Sequence, residues 1–205
     1  MSRIARLSDD AFSMETSSPT AAQSAAEALR GETGVIDAVP GMESIVVIFD
    51  ALSVPPETIR ARLEAVATTA ETPPERSPLT IPVRYGGDDG PDLAAIAEAL
   101  GFSEDEVVRR HQESDHRVDM MGFTPGFAYV GGLHPSLAVG RRETPRVRLA
   151  AGSIGIAGGQ TGIYALDGPG GWKIIGRTEA SLFDPQADEP FAATPGRRIR
   201  FVKAS

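Results

Sequence analysis

The sequence predicts an α+β fold in two parts: a small α+β domain over residues 1–75 and a β-barrel domain over residues 79–205. Residues 1–117 contain ten basic and 21 acidic side chains, a net charge of −11, whereas residues 118–205 contain ten basic and seven acidic ones, a net charge of +3. Fifteen of the 22 glycines follow Arg117. No helical period persists in that glycine-rich stretch, which is typical of short strands joined by tight turns.

The first part carries signals for a hairpin and two helices. The β-branched segments 35–39 and 44–50 flank Pro40–Gly41, a pair typical of turns, and predict a hairpin. Helices are predicted over residues 20–30, after Ser18–Pro19, and over residues 55–67, which begin with prolines. Two helices on a small antiparallel sheet predict a ferredoxin-like layer. Residues 68–78 contain three prolines and predict a linker.

The second part opens with a strand over residues 79–85 and two helices. We expect Asp89 to cap the first helix, with Pro91 in its first turn and Gly101 at its end. Ser103 and Glu106 have the spacing of a capping box, which predicts a second helix ending near residue 111. Beyond Arg117, strands are predicted over residues 118–121, 154–157, 172–177 and 198–202. They favour a compact barrel or sandwich.

Composition excludes several classes of function. Without cysteine the chain has no disulfide, thiolate metal site, iron–sulfur cluster or cysteine nucleophile, and it suits a reducing cytoplasm. The net charge of −8 argues against nucleic-acid and membrane partners. The longest apolar run, residues 45–49, is far shorter than a bilayer span, and we expect no leader and a cytoplasmic location. The three histidines lack metal-ligand spacing, so no metal is expected, and the common nucleotide-binding, zinc-protease and serine-hydrolase motifs are absent.

Residues 122–178 have the composition of a small-molecule site. Glycines there leave backbone N–H groups unshielded, and such loops receive anionic or amide oxygens closely. Donors and aromatic surfaces are interspersed with them: Ser153, Gln160, Thr161, Tyr164, Trp172 and Arg177. The alternative is that the glycines serve barrel corners and bulges, while Tyr164 and Trp172 fill the core.

Two further groups near these glycines are candidates for ligand contacts. Arg141, Arg142 and Arg146 suit an anionic ligand, unless they pair with local acids instead. Phe123 and Phe127 flank Pro125 and would form an apolar wall. Core packing is the alternative for Phe127, because period-two spacing places it on the same strand face as Tyr129. The acidic residues 88, 89 and 92 form a carboxylate cluster that helix capping explains at two positions.

Eight motifs in one order carry a resemblance that covers most of the chain. They are PGMESIVVIFD at residues 40–50, YGGDDGPDL at 85–93, GFTPGFAYVGGL at 122–133, RRETPR at 141–146, AGSIGIAGGQTGIY at 151–164, PGGWKIIGRT at 169–178, LFDP at 182–185 and PGRRIRF at 195–201. The chain thereby resembles the family of the B component of bacterial 5-oxoprolinase, also known as allophanate hydrolase subunit 1 or as the KipI-type inhibitor of a sporulation kinase. The resemblance implies an N-terminal α+β domain followed by a cyclophilin-like, carboxyltransferase-type barrel.

The resemblance also implies a partner-dependent, ATP-using enzyme that opens the lactam 5-oxo-L-proline to L-glutamate. ATP, with Mg, would be shared with the larger C component (the allophanate hydrolase subunit 2 type), and a third, A component would complete the complex. On this interpretation Gln160, Thr161 and Arg177 are catalytic. The substrate or nucleotide would contact Phe123, Pro125, Phe127, Arg141, Arg142, Arg146, Ser153, Tyr164 and Trp172. The alternatives are a KipI-type inhibitor of a histidine kinase and a component of a urea- or allophanate-metabolising enzyme.

Overall fold

A computed structural model describes residues 3–67 and 77–204 of the 205-residue chain. The chain divides into two compact units, Met1–Glu75 and Arg76–Ser205. Most of the predicted linker, residues 68–76, lies outside the described residues. Within the described ranges, no helix has both the length and the apolar character needed to cross a bilayer.

The first unit is a four-stranded antiparallel sheet with two helices. Its elements are β1 Ile4–Ser8, β2 Ala11–Glu15, α1 Pro19–Leu29, β3 Val35–Pro40, β4 Ser44–Phe49 and α2 Pro56–Val66. The strand order is β1-β2-β4-β3, and all the pairs are antiparallel. This is a ferredoxin-like arrangement in which the edge strand β1 comes first in the chain instead of last. The predicted hairpin is confirmed as β3–β4, whereas β1 and β2 were not predicted individually.

The core of the first unit lies between the sheet and its helices. Alternate residues of β4 are fully buried, which places Ile45, Val47 and Phe49 on one face. They belong to one apolar cluster with Leu29 of α1 and Leu63 of α2. Ser18 caps α1 as expected for its position, since its Oγ accepts a hydrogen bond from the Ala21 N–H at 3.1 Å.

The second unit is a curled sheet with two helices. Its elements are β5 Leu79–Tyr85, α3 Leu93–Leu100, α4 Glu104–Glu113, β6 Arg117–Met121, β7 Ala128–Gly131, a 3-10 turn Pro135–Leu137, β8 Arg146–Leu149, β9 Ser153–Ala157, β10 Gln160–Ile163, β11 Gly168–Gly170, β12 Lys173–Arg177 and β13 Ile199–Lys203. Seven strands follow the order β13-β5-β12-β9-β10-β7-β6, and β8 pairs with β11 in a separate ribbon. The predicted α+β class is confirmed.

Backbone hydrogen bonds join the two ends of the seven-stranded sheet. Val118 N–H in β6 donates to Arg197 O at 2.9 Å, just before β13, and Gly196 N–H donates to Val118 O at 2.8 Å. Because these bonds satisfy the outer edge of β6, the sheet closes into a barrel. The pair β13–β5 is parallel and joins the two ends of this unit's sequence.

The turn before α3 differs from the prediction. The helix begins at Leu93 with Asp92 at the N-cap position, so the expectation that Asp89 caps it was wrong. The turn before the helix packs tightly on β12: a Cβ on Gly90 would collide with the Ile175 carbonyl oxygen, and Asp92 N–H donates to Ile174 O at 3.0 Å. Because residues 90–92 are held against β12 by these contacts, the helix begins only at Leu93.

The other predicted helix boundaries are confirmed. Gly101 ends α3 in the left-handed region with φ of 69°, where glycine is favoured. At the start of α4, Ser103 Oγ accepts a hydrogen bond from the Glu106 N–H at 3.2 Å.

Two histidines are buried in the barrel. His111 Nδ1 lies 2.9 Å from Tyr85 Oη, its Nε2 lies 3.1 Å from Thr161 Oγ1, and His116 Nε2 donates to His111 O at 2.7 Å. Burial lowers the pKa of His111 well below its ordinary value, and the nearby His116 lowers it further. Burial also lowers the pKa of His116. Both imidazoles are therefore neutral in the folded protein at neutral pH.

This burial makes the stability of the protein dependent on pH. Below the unfolded-state histidine pKa of about 6.5, the unfolded chain binds protons that the folded chain does not. The free energy of unfolding therefore decreases as the pH is lowered below about 6.5, and these histidines make it independent of pH at higher pH. Denaturant titrations between pH 5 and 8 should show this fall, and His111→Gln should make it shallower. The exposed His134 offers a control, because His134→Gln should keep the wild-type slope. Parallel curves for wild type and His111→Gln would contradict the assignment.

Candidate functional site

An aromatic pocket of about 90 Å³ opens on the second unit. It is lined by Phe123, Phe127, Tyr129, Arg141, Tyr164, Gly170, Gly171 and Trp172. Five of these residues were predicted from the sequence as substrate or nucleotide contacts, and they come from four separate segments. The structure therefore brings distant parts of the glycine-rich region together.

Missing side chains make room for the aromatic rings. A Cβ on Gly162 would lie 2.8 Å from Trp172 Cε3 and 3.0 Å from Phe127 Cζ, and one on Gly170 would lie 2.6 Å from Tyr164 Oη. The Phe127 and Tyr164 rings meet edge to face with their centroids 4.8 Å apart. Because of this packing, Trp172 and Tyr164 fill a small apolar cluster and also form part of the wall of the pocket, and their contact with a ligand stays a prediction.

Phe123 stands at the mouth of the pocket. Its φ is 72°, and among the described residues it is the one non-glycine residue with a positive φ; the residue is 61% exposed. The ring contacts Phe127 edge to face at 5.5 Å between centroids. A bulky residue in the left-handed region is strained, and such strain is typical of functional loops. The strain marks this turn as a candidate ligand contact.

Arg141 supplies the positive charge of the pocket. Its guanidinium carbon lies 5.8 Å from the centroid of the Trp172 ring, within the range of a cation–π interaction. Among the described residues, no carboxylate forms an ion pair with it. Burial raises the pKa of Tyr164, although a hydrogen bond with the Trp172 backbone and the charge of Arg141 oppose the rise. The phenol is thus a neutral hydroxyl beside one available cation.

Arg142 and Arg146 occupy a different position from the one predicted. Both bind the carboxylate of Asp92: Arg142 Nη1 donates to Oδ1 at 3.0 Å, and Arg146 Nη1 and Nη2 donate to Oδ2 and Oδ1 at 2.7 and 3.0 Å. Neither lines the pocket. The alternative that arginines here pair with acids holds for these two, but their partner lies about fifty residues away in sequence.

The three residues predicted to be catalytic each have separate partners. Thr161 is fully buried against His111, because odd-numbered residues of β10 face the barrel core. Gln160 Nε2 donates to Asp119 Oδ2 at 2.9 Å. Arg177 Nε donates to Ala151 O at 3.0 Å. None of them lines the pocket.

Two other predicted contact residues also lie outside the pocket lining. Ser153 is buried and its Oγ donates to Ala150 O at 2.7 Å, which stabilises the turn before β9. Pro125 is exposed in the turn that follows Phe123. Its rigid ring shapes that turn.

Sequence reasoning did not single out Asp119, the partner of Gln160. It occupies a bulge in β6, where the register against β7 shifts between Val118 and Met120. A Cβ on Gly131 would lie 2.5 Å from Asp119 Oδ2, so the glycine makes room for this carboxylate beside Gln160. Desolvation raises the pKa of Asp119, and the hydrogen bond from Gln160 opposes the rise. The only sequence signal is an isolated acid in an apolar strand.

The arrangement can hold a small ring that carries one negative charge. Aromatic faces surround the cavity, Arg141 provides one cation, and Tyr164 has a hydroxyl at the wall. Among the described residues, no group of three or more acidic or histidine side chains is placed to hold a metal ion. The aromatic faces and the guanidinium of the lining suit the binding and orientation of a ligand.

Comparison with known proteins gives the family. Residues 2–193 match the model "carboxyltransferase domain, subdomain C and D". Curated relatives named as the B component of 5-oxoprolinase are 45% identical in Escherichia coli O157:H7, covering 82% of this chain and 78% of that protein, and 37% identical in Bacillus subtilis strain 168, covering 84% and 77%. The chain belongs to this 5-oxoprolinase family. The resemblance that its motifs carry is confirmed.

Solved structures agree on the fold of this family. The protein TTHA0988 superposes with a TM-score of 0.86 at 33% identity over 100% of this chain, which spans 41% of that chain's length. Kluyveromyces lactis urea carboxylase superposes with a TM-score of 0.74 over 100% of this chain and 22% of its own, at 16% identity. The second likeness concerns the fold alone. Both superpositions show that the fold of this chain is shared with these proteins.

A glycine substitution tests the pocket of this family member. Gly162→Ala should displace the Trp172 indole, because the new Cβ would lie 2.8 Å from it, and should destabilise the protein by about 1–3 kcal/mol. Trp172 is the only tryptophan, so its fluorescence reports the displacement directly. A Cβ on Gly168 would meet nothing within 4 Å. Gly168→Ala should thus leave the spectrum unchanged, and equal spectra for all three proteins would contradict the packing described.

Proposed function

We propose that the chain is the B component of an ATP-dependent 5-oxoprolinase and that its aromatic pocket holds 5-oxo-L-proline. The observation that carries the proposal is the single available cation, Arg141, beside the ring of Trp172 at a small cavity. 5-Oxo-L-proline is a five-membered ring with one carboxylate. Curated relatives at 36–45% identity are named as this component of 5-oxoprolinase.

The size of the pocket separates the lactam from the nucleotide. Pockets for drug-sized ligands usually measure about 300–1,000 Å³, whereas this one measures about 90 Å³. A whole ATP molecule exceeds that space, but a small ring does not. We therefore assign most of the ATP site, with its Mg, to the larger C component, and we expect the isolated chain to be inactive.

The chemistry required is the activation of a poor electrophile. Transfer of the terminal phosphoryl group of ATP to the lactam oxygen releases ADP and makes the ring carbon reactive towards water. After one water adds, the C–N bond breaks, the nitrogen takes up a proton, and the product is an acyl phosphate. A second water cleaves the acyl phosphate to L-glutamate and inorganic phosphate. Arg141 would hold the substrate carboxylate, and Phe127 and Trp172 would flank the ring and limit the access of water. These residues act by positioning, since a fixed near-attack geometry lowers the entropic part of the barrier. Catalytic roles for Gln160, Thr161 and Arg177 stay predictions.

The proposal is tested in the complex. The chain should copurify with a coexpressed larger barrel partner, and the complex, once it includes the third component, should release ADP in response to 5-oxo-L-proline. Activity with urea or allophanate in place of 5-oxo-L-proline would favour the amide-metabolising alternative. Capture of a histidine kinase in the absence of any larger barrel partner would favour the regulatory alternative.

Arg141→Gln tests the substrate contact in the same assay. Loss of a charge-assisted hydrogen bond costs about 1.5–3 kcal/mol, so KM for 5-oxo-L-proline should rise about 10- to 100-fold while the KM for ATP changes little. Arg148→Gln is the matched control, because Arg148 is exposed and pairs with Asp167 outside the pocket. An unchanged KM for 5-oxo-L-proline in Arg141→Gln would refute the proposed contact.

A further inference from the structure

The carboxylate of Asp92 joins three segments around the pocket. It accepts hydrogen bonds from Arg142 and Arg146, as described above, and Oδ2 also accepts one from the Ile174 N–H at 2.7 Å. Asp92 precedes α3, the two arginines are the ends of the segment 142–146, and Ile174 lies in β12, two residues after Trp172. The aspartate is 7% exposed. It is therefore a desolvated contact between parts of the chain that are distant in sequence.

Asp92 is ionised despite this burial. Desolvation favours its neutral form, but hydrogen bonds from Arg146 and the Ile174 N–H outweigh desolvation, and the pKa of Asp92 lies below its ordinary value. One full negative charge therefore faces two guanidinium groups. Arg146 binds both oxygens of Asp92, a bidentate geometry that fixes the orientation of its guanidinium plane.

The same contacts fix the walls of the pocket. Arg142 N–H donates to Gly171 O at 2.8 Å, so the residue next to Arg141 is bonded to the loop that carries Trp172. On the other side of Trp172, Ile174 is bonded to Asp92 in both directions, through its N–H and its carbonyl. Arg141 and Trp172 are thus each flanked by a residue that Asp92 holds.

We propose that Asp92 is a positioning and specificity-determining residue: it occupies the guanidinium groups of Arg142 and Arg146, so that Arg141 is the guanidinium that lines the pocket, and the pocket selects a monocarboxylate over a phosphate. The inference deepens the proposed function and rests on it for the location of the ligand. Three arginines free at residues 141–146 would form a cluster of planar donors, which is typical of phosphate sites. Binding two of them to an internal carboxylate leaves the Arg141 guanidinium as the one that lines the pocket and can bind a carboxylate there.

The test uses the full-length chain and the fluorescence of its only tryptophan, Trp172. The probes are 5-oxo-L-proline, cyclopentanecarboxylate (a ring of equal size without the lactam) and pyrophosphate. In the wild type, the carboxylates should change the emission at concentrations at least tenfold lower than pyrophosphate. In Asp92→Asn, which keeps the shape of the side chain, that preference should fall at least tenfold.

Asp167→Asn is the matched control. Asp167 also accepts hydrogen bonds from one arginine, Arg148, and from one backbone N–H, that of Ala151, but it is outside the pocket lining. Its substitution should leave the preference between carboxylate and pyrophosphate unchanged. A merely structural role for Asp92 would weaken the binding of all probes equally and would not change their ratio.

The outcomes separate this inference from the proposed function. A wild-type protein that binds pyrophosphate as tightly as cyclopentanecarboxylate, or that responds to neither carboxylate, overturns the inference even if Asp92→Asn does not fold. A folded Asp92→Asn protein with the wild-type ratio overturns it as well. If cyclopentanecarboxylate binds with the expected preference but 5-oxo-L-proline does not, the inference stands and the assigned substrate fails.

Discussion

A single desolvated carboxylate, that of Asp92, organises the side of the barrel on which the aromatic pocket opens. Asp92 lies where the turn before α3 packs on β12, and it holds the arginine segment and the strand after Trp172 through four hydrogen bonds. Removing one partner of a buried ion pair costs about 3–5 kcal/mol because the other charges stay without a counter-ion. Arg142 and Arg146 are partly exposed, which places this contact near the lower value. Stability and pocket geometry thus depend on the same group.

Glycines impose the second constraint. The aromatic rings pack against the sheet only because Gly155 and Gly162, on neighbouring strands, have no side chain beneath Trp172. The apolar cluster and the pocket therefore share residues. Phe127 and Trp172 are buried in the wall of the pocket, and Phe123 and Arg141 are exposed at its mouth. Tightly packed walls with an open entrance suit the binding of the small ring that we propose as the ligand.

Local signals in the sequence predicted the helices and the β3–β4 hairpin. The features that the sequence did not predict depend on contacts between residues that are distant along the chain. The β3–β4 hairpin, the cap at Ser103 and the stop at Gly101 depend on neighbouring residues, so their motifs suffice. The pairing of Asp92 with Arg146 spans 54 residues, and no local pattern encodes it. Thr161 was expected in the site because it is a hydrogen-bond donor in the glycine-rich region, but the register of β10 places its side chain in the core.

We propose that this chain itself provides the pocket that binds the carboxylate of the ring substrate. The most direct measurement is a crystal structure of the full chain soaked with 5-oxo-L-proline. We predict density for the ring between Phe127 and Trp172, with its carboxylate about 3 Å from the Arg141 guanidinium, while Arg142 and Arg146 keep their bonds to Asp92. A carboxylate bound instead at Arg142 or Arg146, with Asp92 displaced, or a ligand bound elsewhere on the chain, would contradict the account.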